Sequence, residues 1–385
     1  MRRSFACVIS LLLSIACSSD DSTPKATGTG GAGGAGGAGG ADSGVGGGAG
    51  ADAGAVPYSV SAFDAIRIQS KSEQPNFQRA SATLDFGAGP FQKATLVVDL
   101  ATTCFPFEKW KANPPPPGQN WPADCDAFDR NFEFVLDRPA DPKAGPPGIE
   151  LVRAITPFGG PMHLEIDVTD VVNGRPGKHT LDVHIGTWSD GAGKVSGSNG
   201  GWNVTARVDL VPGAPPRKVL AVLPLFDHSN GDPAPLAPVK FDVPAGTKAS
   251  RLEYRVTGHG GVTGAAGCGM APAEEFCSRT HALYADEIEF DSLNPWRDDC
   301  ATLCTIAHQD GSNGGFDYCK ENPCGAISSV KAPRANWCPG SVTPPLVWEP
   351  PAWVTPGPHS FRYQVDDIAS GGSWRVSAVL FAFGA

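Results

Sequence analysis

Val204-Thr205-Ala206-Arg207-Val208-Asp209-Leu210 alternates apolar and polar side chains at every step and runs directly into Val211-Pro212-Gly213-Ala214-Pro215-Pro216. Strict alternation places one set of side chains on each face of an extended chain, which describes a half-buried strand. The proline-rich stretch cannot continue a ladder of hydrogen bonds, so it reads as a link. Similar short runs between Gly/Pro turns lie on both sides of it, at residues 94–101, 131–136, 163–168, 180–185, 218–224, 251–256, 361–365 and 374–383. The pattern predicts an all-β chain of two sandwiches, residues 57–212 and 213–385.

Composition agrees. Charged residues make up 18% of the chain, there are 36 prolines, and no segment carries a convincing amphipathic helix pattern. The net charge is −10, without basic patches interleaved with aromatics, so nucleic acid is not an expected partner. No internal repeat is visible.

The first residues read as an address. Met1-Arg2-Arg3 precedes an apolar run over 5–16 that is short for a bilayer span, and it stops at Ala16-Cys17. This resembles a bacterial lipoprotein signal, which implies a signal peptide of residues 1–16 and a lipidated Cys17. Ser14 stands where leucine is usual; an ordinary secretory signal is the alternative. Ser18 and Ser19, with no Asp after the cysteine, point to the outer membrane, so the expected location is the cell envelope or outside it. Residues 17–56 are Ser/Asp and then Gly/Ala, a flexible tether whose Gly-x-Gly matches are accidents of low complexity. Membrane contact is expected only through the lipid, and the chain is expected to be a monomer.

Nine cysteines fall in the globular part: Cys104, Cys125, Cys268, Cys277, Cys300, Cys304, Cys319, Cys324 and Cys338. Export favours disulfides, and an odd count leaves one thiol outside the pairs within the chain. Cys300-x3-Cys304 and Cys319-x4-Cys324 lack the tight spacing of zinc ribbons, so no metal is expected. A Cys104–Cys125 bond would clamp a loop leading into Asp126-Ala127-Phe128-Asp129-Arg130, a carboxylate beside a guanidinium.

Four segments carry a family resemblance. They are Cys125-Asp126-Ala127-Phe128-Asp129-Arg130; Ile155-Thr156-Pro157-Phe158 with Leu164-Glu165-Ile166-Asp167-Val168-Thr169-Asp170 and Gly186-Thr187-Trp188; Gly258-His259-Gly260 with Ala273-Glu274-Glu275-Phe276-Cys277-Ser278-Arg279-Thr280-His281; and Arg334-Ala335-Asn336-Trp337-Cys338-Pro339-Gly340. In this order they resemble the bacterial peptide-N-glycosidase F family, over residues from about Phe63 onward. The resemblance implies two adjacent eight-stranded antiparallel jelly rolls with a cleft between them. It implies a cofactor-independent amidase that cleaves the bond between an asparagine side chain and the innermost N-acetylglucosamine of N-linked glycoproteins or glycopeptides. The catalytic carboxylates map onto Asp129 and Glu275, with Glu274 as the substitute if the longer loop from Cys268 to Cys277 shifts register. Arg130, Trp188, His259, Arg334 and Trp337 fall at positions that line or brace the cleft and are the expected substrate-binding residues, with core packing the lesser alternative for Trp188 and Trp337. Such chemistry suits carboxylates at shifted pKa values, which activate water and protonate a poor leaving group.

The family pattern is broken at Gly186, where a carboxylate is expected. Its loss is worth about 30- to 1,000-fold in rate. Asp182, His184 and Asp190 flank the gap as possible replacements. Phe128 replaces a tryptophan, and Thr257 another. A glycan-binding lipoprotein with weakened or no catalysis is therefore the alternative. A copper monooxygenase of similar architecture is more remote, since there is no His-x-His and, after Met1, methionine occurs only at 162 and 270.

Overall fold

The computed structural model describes residues 56–141, 145–234, 236–262, 268, 270–310, 314–350, 353 and 355–385. The leader, the tether through Ala55 and Cys17 lie outside the described residues. The first sandwich uses β1 (Tyr58–Gln69), β2 (Arg79–Asp85), β3 (Phe91–Ala101), β4 (Asn131–Leu136), β5 (Ile149–Ile155), β6 (Met162–Asp167), β7 (Lys178–Ile185) and β8 (Gly201–Pro212). One sheet has the order β1-β8-β3-β6 and the other β5-β4-β7-β2, all antiparallel.

The alternating run that opens the sequence argument is β8. Val204, Ala206, Val208 and Leu210 are buried while Asn203, Thr205, Arg207 and Asp209 face outward. Its inward set meets Phe63, Phe132, Phe134, Leu181 and Trp202 in one core. β5 behaves differently: all seven residues are buried, Glu150 and Arg153 included, because both of its faces are covered.

Beyond the proline-rich link come β9 (Val219–Asn230), β10 (Val239–Val243), β11 (Ala249–Gly260), β12 (His281–Ala285), β13 (Ile288–Leu293), the hairpin β14 (Ile306–Gln309) and β15 (Phe316–Cys319), β16 (Ser341–Val342), β17 (Leu346–Trp348), β18 (Gly357–Val365) and β19 (Gly372–Phe383). Sheets β17-β11-β19-β9 and β10-β18-β12-β13 pack around Leu252, Tyr254, Leu283, Trp353, Phe361 and Trp374. The fold is therefore the expected pair of jelly rolls. Helices are short: α1 (Thr169–Gly174), α2 (Ala273–Phe276) and α3 (Ile327–Lys331).

Two devices join the halves. β16 is the fifth strand of the β5 sheet, with Ser341 opposite Ile155 and Val342 opposite Ala154. A buried charge network fills the space between β4–β5 and β9–β19. Arg375 grips Glu133 at 2.7 Å and also pairs with Asp227, while Arg138 reaches Glu133 at 2.9 Å. Arg153 pairs with Glu150 at 2.7 Å and donates to the carbonyl of Arg375; Ser377 donates to Glu150. Burial opposes ionisation of Glu133, but Arg375, the bond to His184 and Arg138 outweigh it and hold the carboxyl well below its usual range.

Candidate active site

The expected cleft corresponds to the place where strand ends from both sandwiches meet around Asp129 and Glu275. β4 begins there, β5, β7 and β11 end there, and α2 and the Arg334–Trp337 segment close the far wall. Four disulfides brace the loops: Cys104–Cys125, Cys268–Cys277, Cys300–Cys338 and Cys304–Cys319. Cys300 and Cys338, the sulfurs nearest Asp299, are bonded to each other and offer no thiolate to zinc. Cys324 packs against Cys104, Cys125 and Phe128.

Asp129 sits between two anchors. The Arg130 guanidinium turns back onto fully buried Asp126, with Nε at 3.0 and 3.1 Å from the two carboxylate oxygens. Thr156 ties the backbone on both sides: its hydroxyl accepts from the Arg130 amide at 2.8 Å and donates to the Phe128 carbonyl at 3.1 Å. Asp129 is thus presented on a fixed segment while its side chain has no ion-pair partner within the segment. Burial pushes its pKa up, and Arg334 and Arg130 pull against that.

Across the cleft, Glu275 lies on α2 within the loop closed by Cys268–Cys277. Arg334 Nη1 donates to its Oε2 at 3.2 Å. Burial raises the Glu275 carboxyl to about 7, and the negative charge of Asp129 adds to the rise. The two carboxylates therefore lie close enough to feel each other, with Arg334 acting on both. Glu274 faces the other way. It is fully buried, paired with Arg279 at 2.6 Å, and accepts from the Trp374 indole at 2.8 Å and the Ala369 amide at 2.7 Å. Re-registration of the loop is excluded by that set of bonds.

Arg334 is held flat between the rings of Phe276 and Trp337, 4.6 and 4.4 Å from their centres. Its Nη2 donates to the Ser329 carbonyl and hydroxyl at 2.7 and 2.9 Å, whereas its buried Nε has no partner. Behind it, Trp337 donates to the Gly258 carbonyl at 2.9 Å and stacks on His259 at 5.4 Å. Burial, then the positive charges of Arg153, Arg334 and Arg375, hold His259 neutral, down to about 3.

Several expected roles change accordingly. Arg130, at 7% exposure, and Trp337, at 2%, are supports beneath the cleft; neither presents a face for a sugar ring. His259 is likewise a stacked brace. Trp188 alone of the expected aromatics is open, 44% exposed, with its ring 5.5 Å from the Arg130 guanidinium.

At Gly186 there is room: a Cβ would meet nothing nearer than the Asn131 carbonyl at 4.0 Å. The flanking acids do not fill the gap. Asp182 bonds the Ser81 hydroxyl, His184 pairs with Glu133 at 3.3 Å, and Asp190 accepts the amides of Gly193, Lys194 and Val195 in its own loop. Asp126, Ser329 and Phe276 are further supports. Only Asp126 carried a signal, four residues before Arg130.

Comparisons with known proteins converge on one family. Residues 231–381 match the family model described as peptide-N-glycosidase F, C terminal. The chain is 26% identical over 269 residues to the peptide-N(4)-(N-acetyl-beta-D-glucosaminyl)asparagine amidase F of Elizabethkingia miricola, covering 65% of this chain and 66% of that relative. Among solved structures it resembles recombinant peptide:N-glycanase F, with a TM-score of 0.61 at 20% identity over 85% of this chain and 96% of that one. It also resembles PNGase F, a glycosylasparaginase from Flavobacterium meningosepticum, with a TM-score of 0.60 at 19% identity over 86% of this chain and 96% of that one.

Proposed function

From a chain that is peptide-N-glycosidase F-like in sequence and fold, we propose an amidase that cleaves the bond between an asparagine side chain and the first N-acetylglucosamine of N-linked glycoproteins or glycopeptides, acting outside the cytoplasm. The observation that carries this reading is the pair of unlike carboxylates around Arg334. Burial raises both carboxyls, Glu275 to about 7 with the Asp129 charge adding to the rise.

The ionised Asp129 takes a proton from a water in the cleft, and the resulting hydroxide attacks the amide carbon. Charge then builds on the carbonyl oxygen, where the Arg334 guanidinium, already desolvated and fixed between two rings, stabilises it. Glu275 delivers its proton to the departing nitrogen and the C–N bond breaks. The products are an aspartate in the peptide and a glycosylamine, which loses ammonia. Trp188 offers the exposed ring on which a sugar stacks.

The open space at Gly186 favours a second reading, a binder with reduced turnover. Incubating the protein with a denatured N-glycoprotein separates the two. Loss of glycan mass with conversion of Asn to Asp, abolished by Asp129→Asn, is the expected result. Intact glycoprotein after prolonged incubation, with glycan retained on the protein, overturns catalysis and leaves binding.

A further inference from the structure

The two sandwiches also enclose a space at the opposite end of their interface. A cavity of about 340 Å³ lies among β5, α1, β11, β17 and β19. Arg251 lines it, whereas Gly260 of the same strand sits at the cleft. At about 3.3 Å per residue, Arg251 stands roughly 30 Å and Arg255, which also lines the cavity, roughly 16 Å along the strand from Gly260.

The walls are charged and balanced. Arg217, Arg251 and Arg255 meet Asp167, Asp170 and Glu253. Arg251 gives one nitrogen to Asp170 at 2.7 Å and another to Glu253 at 3.0 Å; Arg217 reaches Asp170 at 3.3 Å and Arg255 reaches Glu253 at 3.0 Å. Glu150 is already committed to Arg153 and Ser377. The Arg251 guanidinium lies flat over Phe381, 4.3 Å from the ring centre, and its buried Nε has no hydrogen-bond partner.

With Glu150 neutralised by Arg153 outside the cavity, the remaining three guanidiniums and three carboxylates give a charged ligand as much repulsion as attraction, with its hydration lost as well. A purely apolar ligand would strip water from the same charges without replacing it. A neutral molecule bearing several hydroxyls meets both needs: its oxygens accept from Arg251, its hydroxyl protons go to the carboxylates, and its carbon face rests on Val379 and Phe381. The volume is at the small end of the roughly 300–1,000 Å³ of ligand sites, enough for one or two sugar rings. The geometry points to a second saccharide site, taking a neutral mono- or disaccharide across the two jelly rolls and remote from the amidase cleft. It does not depend on turnover, and a catalytically dead chain binds there equally.

The test uses the full chain carrying Asp129→Asn, so that no ligand is consumed. N-acetylglucosamine, mannose and chitobiose are presented by saturation-transfer NMR and calorimetry, with glucuronate and inorganic phosphate as charged controls. Val347 is half exposed at the rim and Arg217 is 41% exposed, so Val347→Trp fills the mouth and Arg217→Ala removes a wall without touching the core. At least one neutral sugar binds, and each rim variant weakens it by about tenfold or more. The inference is overturned if no neutral sugar binds at millimolar concentration, if binding survives both rim variants, or if a charged control binds more tightly.

Discussion

The cleft sets two like groups to different tasks by their surroundings. Burial raises the Asp129 carboxyl against the pull of Arg334 and Arg130; Glu275 is raised to about 7 by burial and by the Asp129 charge. Removing that charge in Asp129→Asn lowers the Glu275 pKa from about 7, leaving burial as the main cause of what remains of the rise. Carboxyl NMR titration reads this directly, and an unmoved Glu275 would show that the two acids do not communicate. On the proposed mechanism turnover needs Asp129 ionised and Glu275 protonated, so the rate is expected to fall as pH rises through about 7. The same shift bears on stability. Its folded pKa is raised, so Glu275 costs stability increasingly as pH climbs from the ordinary carboxyl value to about 7. Glu275→Gln accordingly matches the parent in thermal melts near pH 4 and exceeds it above pH 7, by at most about 3 kcal/mol. The family motifs named Asp129, Glu275 and Arg334, but not the contact between the last two, because Arg334 and Glu275 are separated by 59 residues and no local pattern announces it.

At the level of elements, legibility followed exposure. β8 announced itself because water covers one of its faces. β5 did not: Glu150 and Arg153 interrupt its apolar run, and both are buried against the other sandwich. β2, Arg-Ala-Ser-Ala-Thr-Leu-Asp, buries only Leu84 fully and offers little apolar signal. The β7–β8 connection, residues 186–200, begins at Gly186. Since a Cβ at Gly186 has space, Gly186→Glu folds normally and raises kcat by about 30-fold or more if the added carboxylate stabilises the transition state. An unchanged kcat in a folded variant would show that this chain works without that group. The Cys104–Cys125 bond closes a loop over a sequence separation of 21, four residues before Asp129. Replacing both cysteines with serine lowers unfolding stability by about 3 kcal/mol, read by denaturant melts, and lowers turnover by loosening the Asp129 segment.

Across the whole molecule, the division into two sandwiches could be read from periodicity and the proline link, but the manner of their joining could not. The joint is ionic and buried, made of residues that ordinarily mark a surface. Arg375→Ala leaves two buried anions, Glu133 and Asp227, sharing Arg138, and costs about 3 kcal/mol in chemical denaturation at neutral pH. Glu133 is held well below its usual range, so this deficit is complete above the ordinary carboxyl pKa and shrinks as acid protonates the site. The strand that β16 lends to the first half carries a further consequence. A chain cut at the linker would uncover the margin at Ala154 and Ile155, inviting a stranger's backbone to take the vacated place. Neither half is a spare part: each was built to be finished by the other.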